Sequence, residues 1–211
     1  MPLVADLLDL VLPRGCVGCA APGADLCATC AAELERPPPR GPRVPGLPPL
    51  AAAAAYDGPV RAALLAHKER GRVGLVEPLG AALGRAVDGL DPPPGTLLVP
   101  VPSTRAAVRQ RGQDHALRLA RAAAARTGLR ARPLLVPARR VADQAGLSAA
   151  ERADNLAGAL RVRGPVGEPV VVVVDDVVTT GATLVEAARA LGRAGARVHG
   201  VAVVAATPRR T

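Results

Sequence analysis

The sequence points to an α/β protein: a mainly parallel central sheet flanked by helices, preceded by a small metal-binding ribbon. Three observations carry this expectation. Short apolar runs alternate with helical stretches across residues 51–211, as in repeated strand–helix–strand units. Val170–Val174 is an unbroken β-branched run, the mark of a central strand covered on both faces. Two C-x-x-C pairs, Cys16/Cys19 and Cys27/Cys30, lie close together near the start of the chain.

Taken in order, residues 1–35 hold an N-terminal helix and the four cysteines. In the helix, Leu3, Leu7, Leu8, Leu10 and Val11 form one apolar face. Asp6 and Asp9 interrupt the stretch, and no basic start precedes it, so it does not read as a signal peptide. Residues 36–50 form a linker; its PPPRGPRVPGLPPL holds seven prolines and reads as stiff and extended. Residues 51–211 form the large domain. Leu97–Val101 reads as a strand, followed by a helix over Asp114–Arg126 with Ala116, Leu119, Ala120 and Ala123 on one face. Arg132–Val136 and Ala159–Arg163 are weaker strand candidates. Val170–Val174 leads into a helix over 181–194, and Val198–Ala205 closes the pattern as a strand.

Composition narrows the function. No apolar run approaches the roughly 20 residues of a membrane span, and the expected compartment is the cytoplasm. The formal charge is +9, which suits a phosphate-bearing partner. The arginines are spread along the chain without a basic block, however, and aromatic surface for stacking bases is nearly absent. Charge alone therefore does not argue for nucleic-acid binding. Phe, Trp and Ile are missing, while Ala, Arg, Gly, Pro and Val abound, which points to a GC-rich genome. Under that pressure a lone Lys68 or Asn155 stands out, as does the single Tyr56. A lysine supplies a compact point charge that arginine does not replace.

The cysteine pairs offer four thiolates on two tight turns, the donor set of a closed tetrahedral zinc site. A segment this short has too little core to order itself, and a bound metal would supply the missing free energy. Two disulfides, an iron–sulfur centre and free thiols are the alternatives. A cytoplasmic protein disfavours the disulfides. Four protein ligands leave no open position for catalysis.

Two carboxylates, Asp175 and Asp176, end the valine strand, and Thr179-Thr180-Gly181-Ala182-Thr183 follows. Paired acids at a buried strand end are costly without partners. A helix N-cap pair accounts for one of them but poorly for two. The loop adds hydroxyls and closely spaced N–H groups at a helix start, where glycine lets phosphate oxygens approach the backbone. Hydroxyl acceptors beside phosphate donors suit a ribose 5-phosphate group, at the carboxyl end of the strands where such sheets bind ligands. The same rule points to Pro100–Pro102.

The whole stretch VVVVVDDVVTTGATL resembles the signature of type I phosphoribosyltransferases, which bind phosphoribosyl pyrophosphate (PRPP). One branch, the ComF (competence protein F, GntX-like) family, is similar over nearly the full length. The likeness covers the cysteine ribbon, Tyr56-Asp57-Gly58, Lys68 in HKERGR, VPVP at 99–102 ahead of Arg111-Gly112, and Gln144-x-x-Leu147-Ser148-x-x-Glu151-Arg152-x-x-Asn155. The resemblance implies a type I phosphoribosyltransferase-like fold. It assigns the ribose hydroxyls to Asp175 and Asp176 and the 5-phosphate to Thr179, Thr180, Gly181, Ala182 and Thr183. The turn containing Pro102 and Ser103 falls where such enzymes hold pyrophosphate, usually with magnesium. Lys68, Arg109 and Arg111, with Arg105, are the candidates for neutralising the leaving group. The acceptor-recognising hood would fall around residues 51–90.

Two departures stand out. Thr179 occupies the position where purine enzymes of the superfamily often carry an Asp, which argues against that kind of purine salvage. Gln113-Asp114-His115 replaces the usual aromatic-Asn-Gln, although His115 titrates near neutrality in ordinary surroundings. The resemblance leaves three readings open. The protein is a transferase moving a phosphoribosyl group to a nitrogen nucleophile. Or it is a non-enzymatic module of competence and DNA uptake that meets single-stranded DNA or a partner protein, its ribbon moving on the linker. Or it is a PRPP-sensing regulator.

Overall fold

A computed structural model describes residues 15–38, 44–103, 114–139 and 155–208. The N-terminal helix, Arg105, Arg109, Arg111 and the segment Gln144–Arg152 lie outside the described residues.

Five strands form one parallel sheet. They are β1 (Leu50–Ala55), β2 (Leu97–Pro100), β3 (Arg130–Ala131), β6 (Val170–Val178) and β7 (Arg197–Ala206), in the order β1-β7-β6-β2-β3. The short strands β4 (Leu135–Pro137) and β5 (Leu160–Val162) form a separate antiparallel pair. The valine run does what an unbroken β-branched stretch implies. Val172 and Val174 enter one apolar cluster, and Val171 and Val173 enter the other, on the opposite face.

The helices divide between those faces. Helices α2 (Gly58–Glu69), α3 (Val76–Asp88) and α4 (His115–Thr127) bury Leu64, Leu83 and Leu119 in the first cluster. Helix α5 (Ala182–Arg193) buries Leu184, Ala187 and Leu191 in the second. The segment after β2 thus crosses on one side of the sheet, and the segment after β6 crosses on the other. Because β2 and β6 are neighbours in register from Leu97↔Val171 to Pro100↔Val174, their carboxyl ends flank a crevice at a topological switch point.

Several elements depart from the sequence expectation. The weak strand expected over 132–136 is mostly not one: β3 ends at Ala131, residues 132–134 are irregular, and β4 begins at Leu135. Pro133 falls between them, and a proline without an N–H cannot continue a ladder. The Leu134 N–H turns back to the Arg132 carbonyl at 2.9 Å instead. Residues 51–90, where the hood is expected, begin in the main sheet and continue in one of its helical layers. Leu50–Ala55 is the edge strand of the main sheet, and α3 belongs to its helical layer.

The proline-rich linker is not extended throughout. Val44-Pro45-Gly46-Leu47 closes a turn, with the Leu47 N–H on the Val44 carbonyl at 3.2 Å and Gly46 at φ 80°. Proline followed by a left-handed glycine is the composition of a type II turn. Val44 and Leu47 pack on the second cluster. The ribbon segment also makes contacts with the large domain. Leu34, just past the short helix α1 (Ala28–Ala32), is buried in the main core, and its carbonyl accepts from Arg85 Nη2 at 3.0 Å. Asp25 and Arg72 form an ion pair at 2.5 Å. Among the described residues no helix is long and apolar enough to cross a membrane.

Candidate functional site

Strand β6 carries its hydrophobic run through the two acids to Val178, so Asp175 and Asp176 sit in a strand rather than after one. Each carboxylate accepts from the next backbone amide: Asp175 Oδ1 from the Asp176 N–H and Asp176 Oδ1 from the Val177 N–H, both at 2.8 Å. Burial pushes the Asp175 carboxyl well above the usual carboxylate range, and the neighbouring Asp176 charge adds to that; Lys68 offsets part of it. Lys68, reaching from the last turn of α2, pairs with Asp176 Oδ2 at 3.4 Å. Among the described residues the site therefore sets two adjacent acids beside Lys68.

Beyond the acids the chain turns into α5. Gly181 is the N-cap residue at φ 83°, a left-handed conformation that glycine adopts without penalty. Its missing side chain also matters for packing: a Cβ there would lie 2.7 Å from both Val44 methyl carbons. The first amides of α5 have no intrahelical acceptors. Among the described residues the Ala182 N–H makes a long contact, 3.5 Å, with Thr180 Oγ1. A cavity of about 250 Å³ opens here, lined by Asp175, Thr179, Thr180, Gly181, Ala182 and Thr183 among others. A larger cavity of about 560 Å³ adjoins it and shares Asp175, Thr179 and Thr183. Its remaining walls include Lys68, Asp176, Pro102, Ser103 and His115.

The structure thus brings together Lys68, Pro102, Ser103, both acids and the Thr179–Thr183 loop. Arg109 and Arg111 lie outside the described residues. Ser103 is tied to the following helix, its hydroxyl donating to Asp114 Oδ1 at 3.2 Å; the same oxygen caps α4 by accepting from the Leu117 N–H at 3.2 Å. Tyr56, Leu64, Leu65 and Glu69 complete one wall of the larger cavity. Of these, only Tyr56 was singled out by its rarity. His115, to which the sequence assigned no role, lines the cavity as well. The Asn155 carbonyl accepts from Arg139 Nη2 at 2.8 Å.

The four cysteines converge at the N-terminal end. One ligand atom from each lies within 4.8 Å of all the others. The edge of a tetrahedral zinc–thiolate site is about 3.8 Å for bonds of about 2.3 Å, and the Cys19 and Cys27 sulfurs are already 3.6 Å apart. The knuckle is shaped by the backbone, with the Ala20 N–H on the Cys16 carbonyl at 2.8 Å and the Cys27 N–H on Cys16 Sγ at 3.3 Å. Burial raises the Cys16 thiol, but amides of Cys27, Cys19 and Gly18 outweigh it and bring the pKa down to about 6. Burial and the surrounding sulfurs push Cys30 strongly upward. Four thiols this close cannot all ionise unaided, and a bound divalent cation removes that conflict. The donor set fits zinc, with Cys16, Cys19, Cys27 and Cys30 as the ligands.

A parallel sheet with its crevice at the switch point, and an acid pair running into a phosphate-type loop, is the arrangement of the phosphoribosyltransferase-like α/β proteins. Comparison with protein families agrees: residues 153–211 match the family described as "Phosphoribosyl transferase domain". That match takes in β5, β6, the Thr179–Thr183 loop, α5 and β7. No curated protein matches the chain.

Proposed function

We propose that the protein is a PRPP-binding, phosphoribosyltransferase-like protein of the ComF type. The observation that carries the proposal is the meeting of two cavities at Asp175. One is bounded by a helix start suited to a phosphate, the other by Lys68, Ser103 and His115. A ribose bridging the two would set its vicinal hydroxyls on Asp175 and Asp176. Its 5-phosphate would rest on the amides and hydroxyls of residues 179–183, and its pyrophosphate would extend over Pro102 and Ser103.

The reaction this supports is displacement at the anomeric carbon. A nitrogen lone pair forms the new C–N bond as the C–O bond to pyrophosphate breaks, and the electron pair leaves on the pyrophosphate oxygen. The protein's part is positioning and charge neutralisation. Lys68 lines the same cavity as the acid pair and would neutralise the leaving group there, and Ser103 would donate to it by turning its hydroxyl away from Asp114. Magnesium entering with pyrophosphate would further neutralise it, and the oxygen-rich wall of Asp175 and Asp176 suits a hard cation. Zinc on the four cysteines is assigned a structural role.

The test is titration of PRPP with magnesium into the wild type and into Asp175→Asn/Asp176→Asn. Binding in the wild type that is lost in the double variant supports the proposal, and absence of binding to the wild type overturns it. Pyrophosphate release that requires an added nitrogen acceptor identifies a transferase. Tight binding without release across a panel of bases identifies a PRPP sensor.

A further inference from the structure

The PRPP contacts set out above use only part of the larger cavity. Beyond the acids, Pro102 and Ser103, its wall is made by Tyr56, Leu64, Leu65 and Glu69. Helix α2 faces it with Leu64 and Lys68, and with Leu65 and Glu69, two pairs four residues apart. Such pairs are neighbours on a helix surface, so they form a strip, leucines first and charged groups toward the C-terminal end. Leu65 is only half-buried, an apolar side chain left to line a space. Tyr56 comes from a different element. It follows the last residue of β1, and its N–H donates to the Ala206 carbonyl of β7 at 2.8 Å. The next residue, Asp57, caps α2 by accepting from the Gly58 N–H at 2.7 Å. Ring and strip are therefore set by one corner of the chain.

Strand order gives this wall its meaning. The sheet runs β1-β7-β6-β2-β3. With the ribose on the acids of β6, the pyrophosphate lies toward β2 and Ser103. A nucleophile that displaces a leaving group still held in the site enters from the opposite face of the sugar. From β6 the opposite direction leads toward β7 and β1, and Tyr56 stands at the carboxyl end of β1. Two strand spacings, about 10 Å, separate the backbones of β1 and β6, a span that one flat ring and its contacts fill.

The chemistry of the wall selects the ring. An aromatic face and two leucines take a planar apolar body. Glu69 presents an acceptor to N–H groups and attracts positive charge. Among the described residues that line the cavity, Lys68 is the one lysine or arginine, and Asp176 already engages it. A carboxylate on the incoming molecule would meet Glu69, Asp175 and Asp176, an unfavourable juxtaposition of like groups. We propose that Tyr56, Leu65 and Glu69 form the acceptor subsite, and that the acceptor is a planar nitrogen base bearing N–H groups and no carboxylate. The proposal rests on the PRPP reading of the same site and adds to it the class of the second substrate.

Tyr56 is the single tyrosine of the chain, and Phe and Trp are absent, so its ring resonances in the intact protein report on this wall alone. Benzamidine, benzamide and benzoate share one shape and carry positive, zero and negative charge. Each is titrated into the protein saturated with PRPP and magnesium, followed by NMR of the Tyr56 ring and by calorimetry. Benzamidine should shift the Tyr56 resonances and bind at least about tenfold more tightly than benzoate, with benzamide between. Glu69→Gln should narrow that ratio by about threefold, the size expected of an exposed charge pair. Tyr56→Phe keeps the ring face and should hold benzamidine affinity within about twofold, whereas Tyr56→Leu should lose at least about fivefold. Glu69 is exposed, so its variant tests the subsite even where Tyr56→Leu fails to fold. PRPP binding with Tyr56 resonances unmoved by all three probes overturns this inference and leaves the PRPP reading standing. So does benzoate binding as tightly as benzamidine, or a Glu69→Gln protein with its charge preference unchanged. A folded Tyr56→Leu protein that binds benzamidine like the wild type also overturns it. Failure of PRPP itself to bind overturns the two together.

Discussion

Lys68 Nζ lies 3.4 Å from Asp176 Oδ2, joining the end of α2 to the acid pair of β6. The lysine side chain is 47% exposed and the aspartate 17%. An ion pair this open contributes little to stability after screening, so its effect falls on the site. Removing the cation leaves two adjacent carboxylates facing a polyanionic ligand. Lys68→Met should weaken PRPP–magnesium binding by at least about tenfold, equivalent to about 1.4 kcal/mol. The melting temperature should move by no more than about 2 °C. Calorimetric titration beside a thermal melt checks both. Equal affinity in the variant would remove Lys68 from the site.

The raised pKa of Asp175 predicts a pH signature in the ligand-free protein. Burial and the Asp176 charge make the folded state hold this proton more tightly than the unfolded chain does. Between the ordinary carboxylate range and the raised value, the folded state therefore binds the extra proton. Stability from this group is greatest in acid and falls as pH rises through that interval. Asp175→Asn mimics the protonated form at every pH. The melting temperature of the variant relative to wild type should be near zero difference at about pH 4 and increasingly positive toward pH 8. A constant difference across the range would mean that Asp175 is ionised throughout.

Much of this was legible in the residues because the relevant signals are local. Five consecutive valines demand cover on both faces, and the structure supplies it through two clusters. An acid pair followed by a threonine–glycine loop carries its meaning within one strand and one turn. What escaped depends on distant partners. Leu50–Ala55 is mostly alanine, with no branching or alternation to mark a strand; its pairing with β7 makes it one. Nothing near Lys68 in sequence names Asp176. The His67–His115 contact exists only because α2 and α4 lie on the same side of the sheet. Leu34 reads as ribbon but packs in the main core, a contact that only the folded chain shows.

That packing of Leu34 sets the consequence of metal loss. The purified protein should carry about one zinc per chain, measured by elemental analysis, and Cys30→Ser should lose it. Cys30 is buried beside Gly18, where there is no room for an added Cβ: the Cys30 sulfur and Pro59 of α2 lie within 3 Å of that position. Loosening the knuckle therefore disturbs α2 and the Arg85–Leu34 contact as well as the ribbon. Chelation should lower the melting temperature of the whole chain by more than about 5 °C in a single transition. A separate low-temperature transition, with the main one unmoved, would show that the two parts unfold independently.

Gly181 carries two separable constraints. Its φ of 83° costs a side-chain-bearing residue about 1–2 kcal/mol, and Val44 occupies the space a Cβ needs. Gly181→Ala should destabilise by about 2–3 kcal/mol and weaken binding of a phosphate probe. Val44→Ala removes the methyls without touching the backbone. The double variant should therefore recover the steric share and leave about 1–2 kcal/mol of conformational cost. Strict additivity of the two substitutions in denaturant titrations would show that the linker turn and the loop are not in contact.

Glu186 fixes the antiparallel pair β4–β5 against α5. Its Oε1 accepts from the Leu160 N–H at 3.0 Å, while Arg189 grips both carboxylate oxygens at 2.6 and 2.8 Å. Burial alone would raise the Glu186 pKa, but Arg189 and the amides of Leu160 and Gly158 outweigh it and hold the pKa below the usual value. A depressed carboxylate stabilises above the unfolded pKa, and that contribution is lost as pH falls through the folded one. Glu186→Gln keeps the shape and one acceptor but gives up the charge. The guanidinium of Arg189 is partly exposed, which limits the loss to about 1–3 kcal/mol. The damage should be local: amide exchange at Leu160 and Val162 should accelerate well before that of Val171–Val174. Because Leu156 and the start of α5 border the smaller cavity, the same variant should weaken phosphate binding without any contact to the ligand. Unchanged exchange at Leu160 would mean that β5 is held by its ladder with β4 alone.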